Sequence, residues 1–269
     1  MPRQATEPSN GPGQRGNTVI ENTMAILRCF APDRQELGVT EIAAQVGLHK
    51  STVSRVLTAL EHEGIVEQRA SRRYRLGLGI ISVAGPLLAD LDVRRAAYPV
   101  LVELTESTKE TTALMVWNGV EAVTVEQIPS PQQVKHTSSL GSRYQTAYSA
   151  SVQVFLAEAT SEAMGVLVDA KRLGGIDQDS DLDTYAMRLR ANRERGYTVN
   201  NAETSPDEVG IAAPVRDHRG AVVAAVLIAA PKYRTDETAI ARMGEACTRA
   251  AREITARLGG AQSSTSSSI

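Results

Sequence analysis

Between residues 49 and 60 the sequence carries two kinds of side chain at helical spacing. Val53, Val56, Leu57 and Leu60 recur at i, i+3, i+4 and i+7, an apolar stripe suited to packing. Ser51, Ser54, Arg55 and Thr58 fall on the opposite face with the same spacing, Thr52 lies beside them, and His49 and Lys50 stand at the start. Small hydroxyls let a helix lie close to a duplex, and the cations reach phosphates or guanine edges. A second basic stretch follows at once. Arg69, Arg72 and Arg73 sit between two short alternating segments, and no acid occurs from Gln68 to Ile80. A two-stranded wing with a cationic tip suits phosphate or minor-groove contact.

The elements that must position these groups can be read around them. A first helix is predicted over 18–30, with Ile20, Met24, Leu27 and Phe30 or Ala31 facing inward. A second starts at Thr40 as N-cap and ends at Gly47, and a third spans 50–63 and stops at Gly64. A short helix, a Gly-containing turn and a further helix make a helix-turn-helix, whose second helix enters the major groove by its N-terminal residues.

The texture changes near residue 77. A helical connector is predicted over 78–91 and a longer helix to 108, with Pro86 and Pro99 read as breaks or first-turn positions. Strands are expected over 111–117, 121–127, 133–138, 197–201, 210–216 and 221–229. Helices are expected near 150–158, 161–169, 181–195 and 236–258. A hairpin turning at His218-Arg219-Gly220 argues for an α+β class with an antiparallel-rich sheet. The expected domains are a disordered tail (1–17), a winged helix-turn-helix (18–77), a linker helix (78–92), a second domain (93–260) and a disordered Ser-rich tail (261–269).

Composition narrows the function classes. The 269 residues (28.8 kDa) carry a net charge of −2, which excludes a protein that coats nucleic acid by overall charge. Residues 1–80 hold ten Lys/Arg against eight Asp/Glu, and the rest nineteen against twenty-three, so the cationic bias lies in the first third. Cys29 and Cys247 cannot make a disulfide framework and read as reduced core thiols. The longest apolar run, 221–230, is too short to cross a bilayer, and residues 1–17 hold no apolar signal core. A cytoplasmic protein without a membrane partner is expected.

Catalytic patterns do not emerge. His49, His62, His136 and His218 form no spaced pair with Cys or carboxylates, and no nucleophile elbow, zinc or phosphate-loop motif occurs. The acidic run 177–183 lacks the Gly and closing Glu of a calcium loop and reads as the start of a helix. Asp217 and His218 read as a turn pair. No enzyme activity, metal or cofactor is expected.

With these residues in view, a family resemblance emerges. Val39-Thr40-Glu41-Ile42-Ala43, Gly47-Leu48-His49-Lys50-Ser51-Thr52-Val53-Ser54-Arg55-Val56-Leu57 and Tyr74-Arg75-Leu76-Gly77 resemble the winged helix-turn-helix of the IclR family of bacterial regulators. Ala212-Ala213-Pro214-Val215-Arg216-Asp217, followed by Gly220 and Val222-Val223-Ala224-Ala225, is similar to that family's C-terminal signature. The resemblance implies a linker helix and a GAF-like α/β effector domain. It also implies an inverted-repeat operator, a homodimer or dimer of dimers, and repression rather than activation in response to a small effector.

By matched position the resemblance implies Ala150, Ser151, Asn200, Gly210, Leu227 and Ala229 as effector residues, and Trp117, Met115 and Tyr148 are candidate walls of the pocket. The family's His and Gly-Lys pair are missing from Ala147-Tyr148-Ser149-Ala150-Ser151-Val152-Gln153, and Gly210, Leu227 and Ala229 stand where members carry thiol or hydroxyl anchors. A more apolar pocket, and a bulkier hydrophobic or aromatic effector than a small keto acid, is the expectation. Two alternatives stay open: a ligand-independent DNA-binding dimer that senses a protein partner, and a small-molecule enzyme.

Overall fold

The computed structural model describes residues 19–31, 34–90, 92–169, 173–176 and 182–259. Both expected tails and most of the acidic run 177–183 lie outside these residues. The chain divides into two compact units after Asp90, which puts the helix expected as a linker in the first unit.

The first unit opens with α1 (Val19–Leu27), α2 (Val39–Val46) and α3 (Lys50–His62). Their shared core holds Ile26, Cys29, Leu37, Ile42, Val53, Leu57, Val66 and Tyr74, and each fully buried Val or Leu contributes about 1.5–3 kcal/mol. The inward face of α1 differs from expectation. Ile20 and Met24 are exposed, and Ile26 and Cys29 point inward in their place, a rotation that the 3.6-residue period allows for either apolar row. Thr40 does not cap α2. Gly38 is the N-cap, and Glu41 reaches back to its backbone N–H at 2.6 Å.

The wing is β1 (Val66–Gln68) paired antiparallel with β2 (Tyr74–Leu76). Leu37 exchanges backbone hydrogen bonds with Tyr74 at 2.9 and 2.8 Å, adding a bridge from the segment before α2. Gly64, in the left-handed region (φ 67°), turns the chain out of α3. Gly77 then donates to Ile65 and Gly79 to Gly64, so the wing returns onto the end of α3. The unit ends in α4 (Gly79–Asp90).

The second unit begins with α5 (Asp92–Thr108). Pro86 and Pro99 do not break helices as expected. Each lies inside one.

The remaining elements are β3 (Thr111–Trp117), β4 (Ala122–Ile128), β5 (Arg143–Tyr144), α6 (Ala150–Leu156), α7 (Ser161–Asp169), α8 (Leu182–Arg195), β6 (Thr198–Asn201), β7 (Glu208–Arg216), β8 (Val222–Pro231) and α9 (Glu237–Arg257). The strands form one sheet in the order β5-β4-β3-β8-β7-β6, antiparallel at every pairing. The strand expected over 133–138 is absent. That segment is a loop whose backbone is tied down by side chains, and the two-residue β5 takes the edge.

Helices α5 and α9 cover one sheet face, where Leu114, Ile211, Ala213, Val226 and Ile228 meet Leu101, Met243, Cys247 and Ile254. The opposite face carries Ala113, Met115, Ala212, Ala225 and Leu227 under α6 and α8. Burial pushes the Cys247 thiol well above its ordinary range, which makes it a core group. No helix among the described residues is long and apolar enough to cross a membrane.

The return of the wing depends on two glycines without side chains. A Cβ at Gly77 would overlap the Gly64 carbonyl oxygen, a backbone atom that cannot step aside. Gly77→Ala is expected to destabilise the first unit by about 1–3 kcal/mol through this overpacking. Denaturant unfolding followed separately in each unit checks it: the second unit's transition should stay in place, and an unchanged first transition would contradict the close approach.

Candidate nucleic-acid interface and effector site

Helix α3 presents the predicted face to solvent. His49, Lys50, Ser51, Ser54 and Arg55 are exposed, while Val53 and Leu57 are fully buried beneath them. Thr40, His49, Lys50 and Ser51 line one groove between α2 and the start of α3. Lys50 and the positive end of the α3 dipole both favour a phosphate in it. Thr52 and Arg55 line a different groove, on the side facing Val19 and Thr23 of α1. Thr52 is half-buried and lies off the predicted face, whereas Arg55 is exposed and has no hydrogen bond or ion pair among the described residues.

The wing arginines divide into two kinds. Arg73, expected to clamp the duplex, is tied inward: Nη2 donates to the Glu36 carbonyl at 2.8 Å and pairs with the Glu41 carboxylate at 2.8 Å. Arg69 lies 3.6 Å from the Glu36 carboxylate. Arg72 alone of the three has no side-chain partner among the described residues. It occupies the left-handed region (φ 61°) at the tip of the turn, where its N–H donates to the Arg69 carbonyl. The structure thus turns Arg73 into a pin between wing and α2 and leaves Arg72 to solvent.

The eight effector candidates lie on or beside one sheet face but do not meet at one point. Gly210, Ala150, Asn200 and Leu227 cluster tightly: a Cβ on Gly210 would lie 3.4 Å from Ala150 Cβ and 3.7 Å from Asn200 Cβ. The missing side chain lets α6 approach β7 closely at this position. Ala229 is the cross-strand partner of Gly210 and of Thr111. Trp117 stacks on Phe155 at 5.4 Å, at the far end of β3 from Thr111 and so roughly 20 Å from Ala229. Tyr148 packs edge-on against Tyr185 with the Arg188 guanidinium over its ring. Ser151 is buried in α6.

Asn200 is not a free anchor. Its Oδ1 accepts from the Glu203 and Thr204 N–H groups, and its Nδ2 donates to Thr204 Oγ1. The sequence reading missed two polar sets. Gln153, which ends the segment lacking the family's Gly-Lys pair, is fully buried. Its Nε2 donates to the Tyr148 and Val199 carbonyls, and its Oε1 accepts from Arg188 and Asn192. Arg188 in turn pairs with Glu203. Thr124, Ser138 and Tyr144 form a hydroxyl chain at 2.8 and 3.1 Å, with Met115 Sδ accepting at its inner end. Their positions in sequence, scattered over a strand, a loop and a two-residue strand, carry no spacing signal.

Backbone and arginine together hold the Glu41 carboxyl below its ordinary range, the Gly38 N–H being the larger cause and the Arg73 hydrogen bond the next. A carboxyl with a depressed folded value contributes stability that is present at neutral pH and is lost as pH falls through the carboxylate range. Arg73→Ala should therefore lower the melting temperature of the first unit at neutral pH and flatten its acid dependence. Melting curves of variant and wild type, followed from neutral to acidic pH, check this, and parallel curves would contradict it.

Comparison with known proteins bears on the whole described chain. The IclR helix-turn-helix domain model matches residues 19–70, and the bacterial transcriptional regulator IclR C-terminal model matches residues 86–256. The HTH-type transcriptional regulator KipR of Bacillus subtilis is 30% identical over 250 residues, covering 91% of this chain and 99% of KipR. The crystal structure of a domain of an IclR-family transcriptional regulator is 53% identical, with a TM-score of 0.60, over 63% of this chain and 98% of that domain. An IclR homologue from Microbacterium hydrocarbonoxydans, solved in complex with 4-hydroxybenzoate, shares the fold at 22% identity. Its TM-score is 0.73 over 90% of this chain and 99% of that one. Two family models matched in order along the chain, and a relative 30% identical over nine-tenths of it, show that the chain belongs to the IclR family of bacterial transcriptional regulators.

Proposed function

We propose that this regulator acts in the cytoplasm as a homodimer, or dimer of dimers, on an inverted-repeat operator, and that an aromatic or hydrophobic carboxylic acid bound by residues 93–260 changes its affinity. The observation that carries the DNA reading is the exposed face of α3, with Lys50, Ser51, Ser54 and Arg55 above a fully buried Val53 and Leu57. Arg72 supplies the wing contact. Residues 18–77 are the reading domain, and 78–92 the link to the effector domain.

Dimer formation is supported by apolar surface. Val83 and Leu87 of α4 are 76% and 67% exposed, and Val19 and Ile20 of α1 are 77% and 75% exposed. A monomer has no use for so much uncovered Val, Ile and Leu in a single small unit. A dimer seated on a promoter excludes polymerase without further contacts, so repression is the expected sense of control. No catalytic role is assigned.

For the effector, the hydroxyl chain Thr124–Ser138–Tyr144 is the better polar anchor. A hydroxyl proton directed at the Met115 thioether, a weak acceptor, can turn to a ligand carboxylate at small cost. The Asn200 amide is instead held in a local turn by its bonds to Glu203 and Thr204. The aromatic side chains Trp117 and Phe155 suit a ring, and the fold neighbour from Microbacterium hydrocarbonoxydans was solved with 4-hydroxybenzoate.

Selection of fragmented genomic DNA on the purified chain at physiological salt, followed by sequencing, is the direct test; enrichment of intergenic inverted repeats is expected, and none, with or without aromatic acids present, would overturn the reading. On the selected operator, Arg55→Ala should cost about 1–3 kcal/mol and relax preference at one base position. Arg72→Ala should weaken all sequences alike and reduce the salt slope by about one. Equal, sequence-independent losses from both would refute that division.

Benzoate-class acids should shift operator affinity, and by linkage the operator must shift acid affinity by the same factor. If only pyruvate-sized acids produced a shift, the aromatic assignment would be wrong.

A further inference from the structure

The second unit holds a cationic groove that neither the DNA reading nor the effector reading uses. It lies between the C-terminal end of α8, the edge of β7 and one face of α9, with a volume of about 310 Å3. That is at the small end of the roughly 300–1,000 Å3 typical of small-molecule sites. Arg193, Arg195, Arg216 and Arg252 surround a floor of Gly196, Ala213, Pro214 and Ala251, with Thr248 and Thr255 at its side.

The four arginines are not equivalent. Arg195 is fixed: its guanidinium lies 4.4 Å from the Tyr197 ring centroid and donates to the Tyr197 carbonyl and to Asn192 Oδ1. Arg216 is fixed as well, donating to the Gly220 carbonyl at 2.8 Å and to Glu158 at 2.7 Å. Arg193 approaches the same Glu158 only at 3.8 Å, and Arg252 has no side-chain partner among the described residues. Two carboxylates, Glu158 and the groove's own Glu194, therefore stand against four guanidinium groups. Two preorganised cations and two available ones around a small apolar floor are a recognition surface for negatively charged oxygens.

The backbone excludes the other plausible occupant, an added strand. Strand β6 pairs with β7 only as far as Ala212, so residues 213–216 of β7 form an edge beyond it. The Arg216 N–H on that edge is taken by Thr255 Oγ1 at 2.9 Å. Pro214, two residues earlier and so on the same edge, has no N–H. Both donors that strand addition would need are missing.

We propose that this groove binds a small dianionic metabolite, its charge carried by carboxylate or phosphate oxygens, as a second ligand site apart from the effector face. Arg193 and Arg252 close on the anion, and Arg195 and Arg216 set the field. The proposal does not rest on the DNA or effector assignments.

Isothermal titration of the full chain with succinate and with inorganic phosphate, against chloride at matched ionic strength, tests it. Saturable binding of at least one probe is expected, and which one distinguishes a carboxylate from a phosphate ligand. The Arg193→Ala/Arg252→Ala double variant should weaken that binding about tenfold or more, with an unchanged melting temperature in probe-free buffer. Arg252→Glu, a single change at an exposed position, should abolish it. Absence of saturable binding to both probes, or equal affinity in wild type and both variants, would overturn the proposal. So would a loss confined to operator affinity in these variants, which would make the groove a DNA-phosphate contact.

Discussion

The second unit is organised by one constraint: β7 and β8 are covered on both faces, so nearly every residue in them must be apolar and many must be small. Ala212, Ala213, Ala224, Ala225 and Ala230 are fully buried, as are Ile211, Val215, Val226 and Ile228. A helix packs on each side, α9 against one row and α6 against the other, and short side chains set how close each can come. Gly210 under Ala150 is the limiting case on one face. On the other, Gly244 admits the Tyr197 ring where any Cβ would collide with it, and Tyr197 in turn supports Arg195. The position of a cationic side chain at the surface thus follows from a glycine inside a helix.

Polar groups enter this interior only where a partner is fixed by the fold. Glu110, Glu121 and Glu126 are all buried, and Arg234, Arg143 and Arg94 pair with them in turn. Removing either member of such a pair leaves an uncompensated charge in a low dielectric, a far larger loss than the pair's net contribution. These pairs tie the ends of β3 and β4 to a helix, a strand edge and the turn after β8. Gln153 does the same for α6, β6 and α8 without any net charge.

What the sequence disclosed depended on whether an element had a period and a terminator. Helix α3, with four apolar residues in register and Gly64 after it, was legible almost to the residue, as were β7 and β8 around the turn at 218–220. Helix α1 has apolar residues on more than one face, so its type was clear and its inward side was not. The 133–138 segment mimics a strand, but Ser130, His136 and Ser138 hold it as a loop through contacts with Lys109, Asp207 and Thr124, none of them local. The proline positions misled for a related reason. A proline's lost hydrogen bond argues for a break, whereas α4 and α5 carry Pro86 and Pro99 without one. The proposed DNA-facing residues could be read from spacing because most of them share one short helix, whereas tertiary pairing alone decides which residues of the opposite sheet face are neighbours.

Charge in the first unit shows the same limit of counting. The wing reads as a basic hairpin, yet Arg69, Arg73 and Arg75 are each matched by a carboxylate, from Glu36, Glu41 and Glu67. The acids that neutralise them lie before the wing, in α2 and in β1, and a window confined to residues 68–80 does not include them. On the candidate face, Lys50, Arg55 and Arg72 are the cations without an ion pair among the described residues. Salt-dependent affinity for a duplex scales with the number of phosphates neutralised. Three cations per chain give one copy a modest hold on any sequence, and two copies joined through exposed α1 and α4 surface would double the count while fixing half-site spacing. The inward arginines therefore lower nonspecific affinity as they stiffen the wing, and the proposed second subunit would restore the cation count that the carboxylates remove.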